Sequence, residues 1–176
     1  MRKIARILEI SSYPPPRAGW GVRVEFLKKK IRELGHECEV LNIGSSRKIK
    51  SPEYVDVQNG FDYIKKLVRF ASAGYVFHAH VNGDSPKGFI LTILAELVNL
   101  LFGKRCFLTF HAGINQRFFP KANSKALIPV FRLIFTIPRY IICNSQPVKE
   151  RIMEYGIPGK KIIPIPAFSV QYLQHK

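Results

Sequence analysis

The sequence predicts an α/β domain: a Rossmann-like, mainly parallel sheet with helices on both faces. Three observations carry that reading. Short apolar runs alternate along the chain with amphipathic segments of roughly 10–17 residues. The apolar runs are continuous rather than alternating, as strands covered on both sides require. A chain of 176 residues with 47% hydrophobic and 23% charged content forms a globular core, which excludes a wholly disordered protein.

The elements follow in order. Residues 4–10 read as a first strand, stopped by Pro14-Pro15-Pro16. After Gly19 and Gly21 comes a helix with Val24, Leu27, Ile31 and Leu34 on one stripe, closed by Gly35. Residues 38–43 form a second strand and residues 44–60 a long, polar, basic loop. A helix over 61–70 leads to a third strand ending at Val81 and a turn at Asn82-Gly83-Asp84. Ser85 then caps a helix with Pro86 at its first position, running to about Phe102. Residues 105–110 are a fourth strand, and a helix from near Leu127 is stopped by Pro138. Residues 140–143 are a fifth strand, Ser145 caps a short helix closed by Gly156, and residues 162–165 are a final strand.

The charge is unusual: 28 Lys+Arg against 12 Asp+Glu gives +16. Such an excess points to an anionic partner, whether nucleic acid, a membrane surface or phosphorylated ligands. The basic runs Lys28-Lys29-Lys30 and Arg47-Lys48-Ile49-Lys50 lack the interleaved aromatics of a single-strand nucleic-acid platform, so they read as solvated faces and no nucleic acid is expected. The three cysteines, Cys38, Cys106 and Cys143, have no metal-type spacing and read as buried reduced thiols. The first ten residues are too charged for a signal segment, and the apolar stretch 88–103 carries Glu96 and falls short of the ~20 residues a membrane span needs. The expected location is cytoplasmic, with peripheral contact to the inner membrane face.

In parallel sheets ligands bind beyond the carboxyl ends of the strands. That selects the loops 11–21, 80–85, 111–116 and 144–145, and the chain after Pro166. Gly19-Trp20-Gly21 offers a glycine pair between strand and helix, where backbone N–H groups can approach a phosphate. A dinucleotide fingerprint is incomplete, since Val24 stands where a third small residue belongs and no acid follows the second strand at Asn42-Ile43. Gly83-Asp84-Ser85-Pro86-Lys87-Gly88 has P-loop glycine spacing but continues with Phe89-Ile90 instead of Lys-Ser/Thr. His78, inside a strand, reads as a satisfied core histidine. His80 and His111 end their strands, and the residues alone leave them open between structure and function. His78 and His80 have no third ligand in sequence, so no metal site is expected. Glu25 and Glu33 both fall within the first helix, on its solvent side.

The order of motifs resembles the start of glycosyltransferase family 4, the retaining enzymes of the GT-B fold. The likeness runs from Ile10-Ser11-Ser12-Tyr13-Pro14-Pro15 and the glycine loop through Leu34-Gly35-His36-Glu37-Cys38-Glu39-Val40-Leu41. It continues through Val76-Phe77-His78-Ala79-His80, Leu108-Thr109-Phe110-His111-Ala112-Gly113 and Ile142-Cys143-Asn144-Ser145 to Gly156-Ile157-Pro158 and Lys161-Ile162-Ile163-Pro164-Ile165-Pro166. The resemblance implies an acceptor-side lobe over residues 1–165, the start of an interdomain linker over 166–176, and a donor-binding lobe beyond the chain. Alone, such a lobe is expected to be inactive. It also implies transfer of a sugar from a nucleotide diphosphate to a hydroxyl with retention and without a required cofactor. Gly19, Trp20 and Gly21 would lie near the donor diphosphate, and His111 would be catalytic, near the reacting centre. His80, Asn82, Gly83 and Asp84 would line the acceptor side, and Ser145 would face the cleft. The resemblance implies a nucleotide-sugar donor, and the basic charge adds the expectation of an anionic membrane surface with a glycan or lipid-linked acceptor. The alternative is a non-catalytic membrane-recruiting or binding subunit of a split glycosyltransferase. Two departures stand out: Ala18-Gly19 replaces the usual glycine pair, and Ala167-Phe168 replaces the usual Asn-Gly after the last Ile-Pro.

Overall fold

The computed structural model describes residues 4–17 and 19–166. The expected linker beyond Pro166 lies outside the described residues. Six parallel strands form one sheet: β1 (Arg6–Ser11), β2 (Glu37–Asn42), β3 (Val76–Val81), β4 (Phe107–Phe110), β5 (Tyr140–Cys143) and β6 (Ile162–Pro164). Five α-helices connect them: α1 (Gly19–Glu33), α2 (Gly60–Ser72), α3 (Pro86–Leu101), α4 (Ile128–Thr136) and α5 (Gln146–Met153).

The strand order β2-β1-β3-β4-β5-β6 means that the chain first steps one way, to β2, and then returns past β1 to β3. Right-handed crossovers therefore put α1 on one face and the later helices on the other. Packing agrees. Val24 of α1 meets Val40 of β2 on the first face. On the second, Leu8, Ile10 and Phe77 pack with Tyr63 and Leu67 of α2 and Ala95 of α3. There Leu108, Phe110, Ile141 and Cys143 also pack with Phe131 and Ile134 of α4 and Val148 and Ile152 of α5. The reversal of direction at β1 and β3 is the topological switch point, and it opens a crevice at the carboxyl ends of these two strands.

Local signals behave as the sequence predicts at most helix ends. Ser85 caps α3, its Oγ accepting from the Gly88 N–H at 3.1 Å. Asn59, which the sequence reading did not single out, caps α2 by accepting from the Asp62 N–H at 2.9 Å. Gly35 and Gly156 end α1 and the α5 segment at φ +81° and +84°, a region that favours glycine. Ser145 holds the cap position of α5, but its side chain makes no capping hydrogen bond.

Helix α1 differs from its expected register. Its buried positions are Gly21, Val24 and Lys28, whereas Leu34 is 62% exposed. The hydrophobic stripe was offset because the inward face is completed by a glycine and by a lysine stem. Lys28 is consequently not solvated, unlike the rest of its basic run: its Nζ donates to the Glu53 carbonyl and pairs with the Glu53 carboxylate at 3.3 Å. Glu25 and Glu33 are exposed, as expected. All three cysteines are buried and free. Among the described residues no helix is long and apolar enough to cross a membrane.

Candidate functional site

The site forms because strand register stacks polar residues on the α1 face of the sheet. In the parallel ladder Glu9 of β1 lies opposite His78 of β3, and His80 lies opposite Thr109 of β4. Side chains two apart share a face, so Glu9, His78, His80 and Thr109 point the same way. His111 continues that row just past β4, its N–H donating to the Val81 carbonyl at 2.8 Å.

These groups bond to one another. Glu9 is wholly buried, and its Oε2 lies 2.7 Å from His80 Nε2 and 2.9 Å from His78 Nδ1. His78 Nε2 reaches Thr109 Oγ1 at 2.7 Å, and His80 Nδ1 reaches His111 Nε2 at 2.9 Å. Trp20 stacks on His111 with centroids 4.7 Å apart, and His80 and His111 stack at 5.2 Å. His78 is thus the satisfied core histidine the sequence suggests, whereas His80 and His111 form a continuous hydrogen-bonded pair.

Electrostatics follow from these contacts. Burial by itself would raise the Glu9 carboxyl, but its interactions with His78 and His80, the hydrogen bonds among them, outweigh burial and favour the ionised carboxylate. Burial, together with His78, lowers His80 to about 4 despite the opposing pull of Glu9. Burial lowers His111 further, helped by His80 and the Arg23 guanidinium. Both histidines are therefore neutral at neutral pH. Arg23, half-buried on α1, has a buried Nη1 with no hydrogen-bond partner among the described residues.

The absence of a third metal ligand expected from sequence is corrected here. Glu9, His78 and His80 present ligand atoms within 4.8 Å of one another. Those atoms already bond to each other at 2.7–2.9 Å. An ion shared among them at a zinc-type distance of ~2.0–2.2 Å would have to break these bonds. The residues fit a hydrogen-bonded cluster and do not fit a ready cation site.

Beside the cluster lies a cavity of about 170 Å³, at the switch point. Ser11 at the end of β1 and Ser12 just beyond it, His80 to Asn82 at the end of β3, Ser85 and Lys87 at the start of α3, and Trp20 contribute to its wall. Asn42 holds one rim, its Oδ1 accepting from the Tyr13 and Gly44 N–H groups at 3.2 and 2.9 Å.

The sequence-chosen residues separate into two groups. Trp20, His80 and His111 come together, and Asn82 lines the adjoining cavity. Gly83 and Asp84 instead clamp the loop after β4. The Gly83 carbonyl accepts from the Phe118 N–H at 3.1 Å, and Asp84 Oδ1 accepts from the Arg117 N–H at 2.7 Å. A Cβ at Gly83 would lie 2.6 Å from Phe119 Cβ, so this glycine is required by close packing. Gly19 and Gly21 sit in the first turn of α1, not in a preceding loop. Gly21 is buried against Pro14, while Gly19 is exposed. Ser145 lies beyond β5, with its carbonyl accepting from the Lys149 N–H, and does not join the cluster. Glu9 and Arg23 are the members the sequence reading missed. Glu9 did leave a signal: one carboxyl inside a strand buried on both faces must find a partner.

The sheet order and the cavity at its switch point define a Rossmann-like α/β domain, and comparison with known proteins narrows the class. The sequence model of Glycosyltransferase Family 4 matches residues 18–168. The chain belongs to that family. Its fold is similar to Anabaena HepE solved in complex with UDP, with TM-score 0.54, 14% identity, and coverage of 94% of this chain and 45% of that one. The lipopolysaccharide outer core galactosyltransferase WaaB, in its apo form, gives TM-score 0.53 at 15% identity, covering 89% and 44%. UDP-GlcNAc 2-epimerase from Neisseria meningitidis, bound to UDP-GlcNAc, gives 0.57 at 15% identity, covering 90% and 45%. The chain thus spans a little under half the length of each of these structures. No curated protein sequence matches the chain significantly.

Proposed function

We propose that the chain is the acceptor-side lobe of an enzyme that moves a sugar from a nucleoside diphosphate to a hydroxyl acceptor with retention. The family match over residues 18–168 carries this reading. The fold is shared with an epimerase as well as with transferases, so fold alone does not choose between them. In the complete protein a second lobe would close over the carboxyl ends of β1, β3 and β4. His111 would then meet the sugar near the reacting carbon, with Trp20 fixing the plane of its ring. Arg23, with an unpartnered buried nitrogen, supplies positive charge for the departing diphosphate. The exposed Gly19 opens α1, whose free N–H groups suit the same anion. The UDP and UDP-sugar complexes of the structural relatives support a nucleotide-sugar donor.

A glycan or lipid-linked acceptor at an anionic membrane face completes the proposal. Its support is the +16 charge together with an exposed apolar surface. Phe61, Ile64 and Val68 on α2, and Ile90, Leu97 and Leu101 on α3, are all exposed on helices that pack together. Basic groups near an anionic leaflet contribute about 1 kcal/mol each, and apolar side chains add burial.

The decisive experiment is a screen of nucleotide-sugar donors and hydroxyl acceptors with the complete polypeptide. Product formation, with loss of most turnover in His111→Ala, supports the reading; no transfer to any acceptor overturns it. For the membrane component, sedimentation with anionic liposomes at low salt should retain the protein, and binding should weaken in Phe61→Asp. Equal binding to neutral vesicles, or none at all, removes that component.

A further inference from the structure

We propose that Glu9 is a positioning residue: acting through His80, it fixes which nitrogen of His111 carries the proton, so that His111 Nδ1 accepts a hydrogen bond from a ligand hydroxyl. With Glu9 ionised and His80 and His111 neutral, donor and acceptor matching fixes each proton. An ionised carboxylate can only accept. Glu9 Oε2 lies 2.7 Å from His80 Nε2 and 2.9 Å from His78 Nδ1, so both of these nitrogens carry hydrogen. A neutral His80 protonated at Nε2 has its lone pair on Nδ1. That atom lies 2.9 Å from His111 Nε2, which must therefore be the donor. A neutral His111 protonated at Nε2 has its remaining lone pair on Nδ1, which bonds to no group among the described residues.

The rest of the cluster closes on the same solution. His78 Nε2 lies 2.7 Å from the Thr109 hydroxyl, which can either donate or accept, so this contact is satisfied whichever proton state His78 adopts. Each donor meets one acceptor. The reverse order fails: if His80 donated from Nδ1, its Nε2 lone pair would face a carboxylate oxygen at 2.7 Å inside a buried site. Such lone-pair opposition in a dry interior is more costly than either hydrogen bond is worth.

The groups facing His80 and His111 are Glu9 from β1, His78 from β3, Thr109 from β4, and Trp20 and Arg23 from α1. None of them supplies a second carboxylate, so Glu9 alone sets the polarity. Trp20, stacked on His111, hinders rotation of the ring out of this arrangement. The chemical consequence is directional. His111 accepts a proton-bearing group, such as a sugar or acceptor hydroxyl, and does not donate to one. The identity of that ligand rests on the proposed sugar-transfer reading; the tautomer does not, because it is measured without substrate.

The test is NMR of the 15N-histidine-labelled protein at neutral pH, with two-bond couplings identifying the protonated ring nitrogen. His111 is expected in the Nε2–H form. Finding it in the Nδ1–H form, or in a mixture, overturns the proposal. In Glu9→Leu the fixed form should give way to comparable populations of both, while Glu9→Gln, which retains an accepting oxygen, should preserve most of it. If Glu9→Leu does not fold, His80→Phe breaks the same chain with Glu9 intact and should release His111 equally. An unchanged His111 tautomer in either folded variant overturns the role of Glu9. A merely structural carboxylate would leave the tautomer unmoved.

Discussion

Two glutamates, Glu9 in β1 and Glu96 in α3, are both completely shielded from solvent, yet their carboxyls are shifted in opposite directions. Burial raises Glu96 well above the ordinary carboxyl range, and the attraction of Lys161 does not reverse it. Both of its oxygens lack a hydrogen-bond partner among the described residues, so near Cys106 and Tyr63 nothing offsets the preference of burial for the protonated acid. Glu9 experiences the same burial but is held ionised by two histidines. Burial sets the cost of a charge, and partners decide whether the charge survives it. The face of the sheet beneath α1 supplies partners, whereas the face beneath α2 and α3 does not.

The largest expected effect comes from breaking the partnered side. Glu9→Leu removes the acceptor for two buried rings and should lower unfolding stability by about 3–5 kcal/mol in urea titrations, because a cluster missing one partner leaves polar groups unpaired. A loss below 1 kcal/mol would mean that the cluster is loosely hydrated. The same change on the unpartnered side should act in the opposite direction. Glu96→Leu should be neutral or stabilising by about 1–3 kcal/mol, since no hydrogen bond is lost. The gain should grow as pH rises. A carboxyl raised in the folded state contributes stability below its unfolded pKa and loses it as pH climbs towards the folded value. A Glu96→Leu variant less stable than the parent at neutral pH would show that an unseen partner serves this carboxyl.

A titration sharpens the contrast further. His80 and His111 are lowered in the folded protein, so the unfolded chain binds more protons as pH falls below the ordinary histidine value. Stability should fall from neutral pH towards about pH 4, with a slope approaching ~1.4 kcal/mol per pH unit for each histidine. Urea midpoints measured across that window read the slope; His80→Phe should flatten it. A flat profile in the parent protein would mean that these rings are not buried neutral. The smallest expected effect belongs to Trp20→Ala, which should cost about 0.5–1.5 kcal/mol for the lost stack on His111. Binding of a nucleotide sugar to the complete enzyme should fall more than stability does, and a purely structural tryptophan would show the reverse.

Much of the fold was legible in the residues, for a clear reason. Strands buried on both faces must be continuously apolar, and helix ends need caps and stops. Ser85 with Pro86, Gly35 and Gly156 therefore marked boundaries that the structure keeps. Helix α1 was the partial failure, because Lys28 faces inward with its charge satisfied by Glu53, and hydrophobic periodicity cannot register a buried ammonium group. The candidate site was legible at its rim and not in its interior. His80 and His111 stood out by ending strands. Gly83 and Asp84 shared that prominence, although their contacts tie the Gln116–Phe118 segment in place. Glu9 and Arg23 went unnoticed, one as a lone charge in a strand and the other as an ordinary helix residue.

The sequence by itself determined the class of fold, the family and the histidines that end β3 and β4, since each depends on local periodicity or on motifs read in order. Tertiary structure alone decided the strand order, and with it the switch point where the cavity opens. It also decided the register that sets Glu9 opposite His78. Residues some seventy positions apart in the chain share a proton network only because two parallel strands pair in one particular alignment, shifted by not a single residue.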